Sequence, residues 1–260
     1  MTPFIVFGLV FAAIGALVYV IISQNKKRLA ELQLVAQQLK LRFSPKGDDS
    51  IAPLLANLEF FAKGMNCSVT NLMQGNVSRH GKSSVTVAIF DYQYALGLGE
   101  RTDVSYDEDG VSVSSSNDST YFNQTVMVFY DESVNVPWYN LRPEDIFDKL
   151  ANIVGFEDIN FRDFPIFSKQ YRLQSGDVDE VRSLFQPNLI KFYETNQMCT
   201  EASGSYLVIY PFPIRKNSSS RYGNSTESKF LQPNEIGPFL GKGLKLLNLL
   251  ALNTAELAQR

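Results

Sequence analysis

Residues 67–95 read CSVTNLMQGNVSRHGKSSVTVAIFDYQYA: two β-rich runs, 67–73 and 84–95, around a connector in which Gly75, Asn76 and Gly81 supply turn chemistry. We read the stretch as a β-hairpin, and it sets the texture of the chain that follows. Residues 124–130 (QTVMVFY), 158–161, 167–173 and the pair 198–202 and 206–212 also read as strands, with Ser203 and Gly204 near the last turn. Helices intervene. Pro143 fits a first-turn position with Glu144 and Asp145 behind it, and Ile146, Leu150, Ile153 and Val154 form its apolar stripe. Asp177 opens a helix with Val178, Val181, Leu184 and Phe185 inward, restarted at Pro187. Pro233 opens a closing helix whose Ile236, Phe239, Leu240, Leu244, Leu247 and Leu250 share one face. Strands and helices mixed without regular βαβ alternation predict an α+β domain, a mostly antiparallel sheet with helices packed on one face.

Upstream, residues 4–22 (FIVFGLVFAAIGALVYVII) form an uncharged apolar run. As a helix it would cover roughly 28 Å, which reads as a transmembrane anchor. Lys26, Lys27 and Arg28 follow at the expected membrane interface, then Lys40 and Arg42, while no charged side chain precedes the run. That asymmetry predicts a single-pass protein of the bacterial inner (plasma) membrane, N-terminus outside and C-terminal domain cytoplasmic. Gly8, Ala12 and Ala16 recur at four-residue spacing, as small residues commonly do in such helices. Leu29, Leu32, Val35, Ala36, Leu39 and Phe43 continue as an amphipathic helix until Ser44, Pro45, Lys46 and Gly47 break the pattern. The expected organisation is an anchor over 1–24, a juxtamembrane helix over 25–43 and a cytoplasmic α+β domain over 44–260.

Composition removes many chemistries. With 24 Lys and Arg against 27 Asp and Glu, the net charge of -3 argues against nucleic acid as a partner. A single histidine, His80, excludes a multi-histidine metal site, and neither metal nor cofactor is expected. In GNVSRHGKS the two glycines enclose one residue too many for a phosphate loop, and the element after it is a strand, not a helix. The acids near Asp107 and Asp109 fail the calcium-loop register, which places Ser105 first and Ser116 twelfth. His80 reads as an exposed turn residue, and Cys67 and Cys199 as small apolar strand residues. Asp91 stands out because a carboxylate interrupts the apolar run AIFDYQY; if buried it needs a cation, for which Arg142 and Arg172 are the candidates. Asp91, Arg142 and Asp158 are therefore the candidate buried polar residues. The stretch 97–122, rich in Ser, Asp and Gly, reads as a long mobile loop that a short turn could replace.

The segments FDYQY, QTV, LRPED, DINFRDFPIFSKQYRL, DVDEVRSLF and EASGSYLVIY, in that order, resemble a family of uncharacterised bacterial proteins with one N-terminal membrane helix and a cytoplasmic domain. The resemblance implies an inner-membrane location and no particular activity, ligand or catalytic residue. The functional expectation is a membrane-tethered binding or assembly module, held to the lipid bilayer by its helix and meeting a protein partner or a second copy of itself. The alternative is a membrane-associated hydrolase built on paired carboxylates, Asp91 with Asp158 or Glu144.

Overall fold

The backbone closes one large antiparallel sheet. Its strands are β1 (Arg42–Ser44), β2 (Met65–Arg79), β3 (Ser83–Asp107), β4 (Gly110–Tyr130), β5 (Val136–Pro143), β6 (Tyr171–Ser175), β7 (Met198–Gly204) and β8 (Tyr206–Pro211), in the order β1-β2-β3-β4-β8-β7-β5-β6. A small ladder joins β9 (Ile214–Arg215) to β10 (Thr226–Glu227). The helices are α1 (Thr2–Gln38), α2 (Pro165–Gln170), α3 (Val178–Leu184), α4 (Pro187–Thr195) and α5 (Pro233–Leu257). The computed structural model describes residues 2–48, 51, 58, 61, 65–79, 83–107, 110–143, 158–212, 214–215, 226–227 and 230–257. The α+β class and the large antiparallel sheet with its helices are as the sequence predicts.

Alternation along β3 shows why the sheet is buried on both faces. Val85, Val87 and Ile89 join the core under the helices, together with Met127 and Phe129 of β4, Leu32 and Ala36 of α1, and Leu246, Leu247 and Leu250 of α5. Ala88, Phe90, Tyr92 and Tyr94 point the other way into a second cluster with Val126, Val128, Val208 and Tyr210. Ile51, Leu58 and Phe61 cover that second face, the Phe61 ring lying 5.1 Å from Tyr92 and 6.1 Å from Phe90. A strand covered on both sides reads as a near-continuous apolar run, as SVTVAIF does. Burying each such large side chain is worth about 1.5–3 kcal/mol.

Helix α1 is a single rod through the expected boundary at residue 24, and it ends earlier than its apolar pattern suggests. Leu41 N–H donates to Ala36 O at 2.8 Å and Lys40 N–H to Gln37 O at 3.1 Å, with Lys40 at φ 57°, a Schellman-type stop. The chain then reverses into β1, so Phe43 is a strand residue paired with Met73. Gly75 lets this corner close, since a Cβ there would lie 3.0 Å from Leu41 Cδ2.

Several expectations change. Among the described residues no helix is long and apolar enough to cross a membrane, so the single-pass inner-membrane location, with its outward N-terminus and cytoplasmic domain, is corrected. The presumed mobile loop is instead the outer part of a long hairpin: β3 and β4 stay in register through Thr102↔Ser115, Val104↔Val113 and Tyr106↔Val111 to Asp107↔Gly110. The β-branched Thr102, Val104, Val111 and Val113 and the Asp109–Gly110 dipeptide supply strand and turn signals that outweigh the serines. Likewise β2 runs through most of GNVSRHGKS, pairing Gly75 with Val87 and Arg79 with Ser83, so the connector is shorter than expected. Pro143 ends β5; the helix expected after it lies outside the described residues. Residues 167–173 divide between α2, started by Pro165, and β6.

Helix α5 crosses the sheet at a backbone contact that fixes its height. A Cβ on Gly243 would lie 2.7 Å from Ile209 Cδ1 and 2.8 Å from Phe129 Cε2, whereas one on Gly241 meets nothing within 4 Å. Gly243→Ala should therefore cost about 1–3 kcal/mol through overpacking, while Gly241→Ala should gain about 0.5–1 kcal/mol of helix propensity. Thermal unfolding of the two variants beside the parent, with opposite signs of ΔTm expected, checks this packing.

Candidate functional site

Asp91 sits on the helix-covered face of β3, where α1 crosses the sheet. It continues the row Val85, Val87, Ile89 and is only 3% exposed. Its cation is Arg28 of α1, Nη1 donating to Oδ2 at 2.6 Å and Nη2 to Oδ1 at 3.2 Å. Two neutral donors complete the shell: Asn71 Nδ2 to Oδ2 and Thr125 Oγ1 to Oδ1, both at 2.8 Å. Thr125 stands directly opposite Asp91 across the β3–β4 ladder. Asn71 arrives by a bulge: the β2–β3 register slips between Thr70 and Met73, with Asn71 at φ 53°, a conformation that suits Asn.

The network reaches a third segment. Leu231 N–H donates to Thr125 Oγ1 at 2.9 Å, Arg28 Nη2 donates to Leu231 O at 3.1 Å, and the guanidinium carbon lies 5.3 Å from the centroid of the Phe230 ring. Thus α1, β2, β3, β4 and the lead-in to α5 meet at one carboxylate. A carboxylate with its acceptor sites filled and a fork-bound guanidinium beside it forms a rigid structural joint. Beside it lies a cavity of about 540 Å³ between α1 and the sheet, lined in part by Asn25, Lys26, Thr70 and Asn71.

The sequence candidates fall in three places. Arg28 and Lys26, expected at a membrane interface, border this cavity, whereas Lys27 pairs loosely with Glu31 at 3.9 Å on the exposed side of α1. Arg142 is not the partner of Asp91. It lies on β5, four strand spacings from β3, about 19 Å away. Its electrostatic neighbours Tyr210, Glu201, Tyr94 and Cys199 include members of the opposite-face cluster. Arg172 opposes Arg142 on β6. Asp158 is farther still, bridged to Gln174 at β6, where it accepts from Leu173 N–H at 3.1 Å and from Asn160 Nδ2 at 3.0 Å. The structure therefore does not bring Asp91 and Asp158 together, and Glu144 and His80 lie outside the described residues.

Around Arg142 a second polar group is interred. Asn140, Gln174 and Glu201 are at most 1% exposed, Asn140 standing between Gln174 and Glu201 across neighbouring strands. Burial opposes the Arg142 charge, but the Tyr210 phenol and the Glu201 carboxylate outweigh it and keep the guanidinium protonated. Burial pushes the Cys199 thiol up to about 12 against the pull of Arg142, so it is a thiol at neutral pH and no nucleophile. Cys67 is exposed and accepts from Tyr92 Oη at 3.0 Å. Among the described residues no group of three His, Cys, Asp or Glu side chains is arranged to hold a metal.

Because one partner left alone would be a buried, unpaired charge, Asp91→Ala and Arg28→Ala should each cost about 3 kcal/mol. The double variant should lose much less than the sum, a coupling readable from denaturant unfolding of the four proteins. Asp91→Ala combined with Arg142→Gln should instead be additive within about 0.5 kcal/mol. Strictly additive losses for Asp91 and Arg28 would show that the ion pair carries no weight.

No family model matches this chain, and no curated protein matches it either. Among solved structures it is similar to the mycobacterial trehalose monomycolate transport factor A, TtfA, with a TM-score of 0.51 and 9% sequence identity over 86% of this chain and 93% of that one. At that identity the likeness concerns the fold alone, and it extends over nearly the whole of both chains.

Proposed function

We propose that the protein is a binding and assembly module, in which the sheet domain holds α1 and the N-terminal half of α1 engages a protein partner or a second copy. The observation that supports this reading is the contrast between the two halves of the helix. Beyond Arg28, Leu32 and Ala36 are buried under the sheet's helical layer; before it, Phe11, Leu17 and Tyr19 are 72%, 61% and 74% exposed, with Ile14, Val18 and Val20–Ile22 exposed around them. A helix apolar on every side is stable only when surrounded, and a contiguous exposed apolar surface marks an interaction site. The joint at Asp91 gives such a helix a fixed base.

The saturated shell of Asp91 and its separation from Asp158 weigh against the hydrolase alternative, since a general acid or base must reach the proton it moves. The test is a benzophenone photo-crosslinker in place of Phe11 or Tyr19 in the full chain, irradiated in the producing cells. A discrete adduct containing a second copy or one other protein is expected from both positions. Adducts without protein, or none, would overturn the reading.

A further inference from the structure

The cavity beside Arg28 and Asp91 has an unequal charge balance. Its floor is the Arg28–Asp91 pair, which is neutral as a unit, with both carboxylate oxygens engaged by Arg28, Asn71 and Thr125 and with Arg28 also donating to Leu231 O. On the α1 side Ile22, Asn25, Lys26 and Leu29 share one helix face, apolar and polar side by side, and Pro45, Thr70, Asn71 and Phe230 complete the lining. The ammonium of Lys26 adds a positive charge that the floor does not cancel, and among the described ion pairs it is Lys27, not Lys26, that meets Glu31. A volume of about 540 Å³ is in the range of small-ligand sites, and this lining has their composition, mostly apolar with a few placed polar groups.

We infer that this cavity binds an amphiphilic anion, its carboxylate or phosphate at Lys26 and Asn25 and its apolar body against Ile22, Leu29, Pro45 and Phe230. A neutral amphiphile leaves the ammonium unmatched, and a bare inorganic anion leaves Ile22, Leu29, Pro45 and Phe230 wet.

Isothermal titration of the full chain with laurate below its micellar concentration tests it, alongside dodecyl phosphate, dodecanol and inorganic phosphate. One saturable site for laurate and for dodecyl phosphate is expected, each binding about tenfold or more tighter than dodecanol or inorganic phosphate, as a charge-assisted contact would give. Comparable binding of the first two would identify the shared anionic head, whether it comes from a free fatty acid or a phospholipid-like donor; a preference between them names the source. Lys26→Gln should weaken laurate about tenfold, and Lys27→Gln, one residue away and outside the cavity lining, should leave it within about twofold. Equal losses in the two variants, dodecanol binding as tightly as laurate, or no saturable site would overturn the assignment. Because both lysines belong to one helix and neither joins the core, folding is common to the two variants and does not confound the comparison.

Discussion

The carboxylate of Asp91 is the point on which the arrangement of α1 depends. A long helix can slide or roll over a sheet at little cost when only aliphatic side chains meet, because dispersion and apolar burial have no direction. A bidentate guanidinium–carboxylate contact does have one, and here it is held from the sheet side by Asn71 on a bulge and Thr125 on the neighbouring strand. Moving α1 by a single turn would strand both charges in the interior. The same contact catches the segment before α5 through Leu231, so the two longest helices share one polar anchor. Whatever the projecting half of α1 meets, the mechanical connection to the domain runs through Arg28.

The strands and helices that could be read from sequence are those whose pattern is local. Asp177 caps α3 by accepting Glu180 N–H at 2.9 Å, as an Asp before an amphipathic run should. Strands β7 and β8 were visible from β-rich runs separated by Ser203 and Gly204, the latter at φ 57°. The outer hairpin was not visible because its serines and asparagines masked the β-branched residues between them, and the Asp109–Gly110 turn signal was read as a stretch of acids. Likewise β5 hid behind Pro143, which suits the start of a helix as well as the end of a strand.

The need of Asp91 for a cation was legible, but the identity of that cation was not. Arg28 sat in a basic cluster and was read with Lys26 and Lys27 as one interface feature. Its helical phase says otherwise: it lies one turn before Leu32 and two before Ala36, both fully buried, so an arginine there heads into the interior. A cation on the buried stripe of a helix requires a carboxylate on the surface it covers. Helical phase thus separates the three basic residues, whereas counting charges groups them. The bulge that delivers Asn71 leaves no comparable mark in the sequence, since a two-against-one register is decided by both strands together.

The two polar groups also explain why the sheet holds a single register. Its inner strands are apolar on both faces, so alternation alone would tolerate a one-residue slip that turns every side chain over. Asp91 forbids that slip in β3, because turning over would take its carboxylate away from Arg28, Asn71 and Thr125 into the ring-lined cluster of Phe90, Tyr92 and Tyr94. Arg142 and Glu201 impose the same condition from the other side of the sheet, on β5 and β7, where turning over would carry them into the core packed around Tyr139, Leu141 and Ala202. Each group is costly to bury and adds little net stability by itself. Set on opposite faces and in different halves of one sheet, they penalise the mispaired arrangements far more than the native one, and that difference specifies the fold.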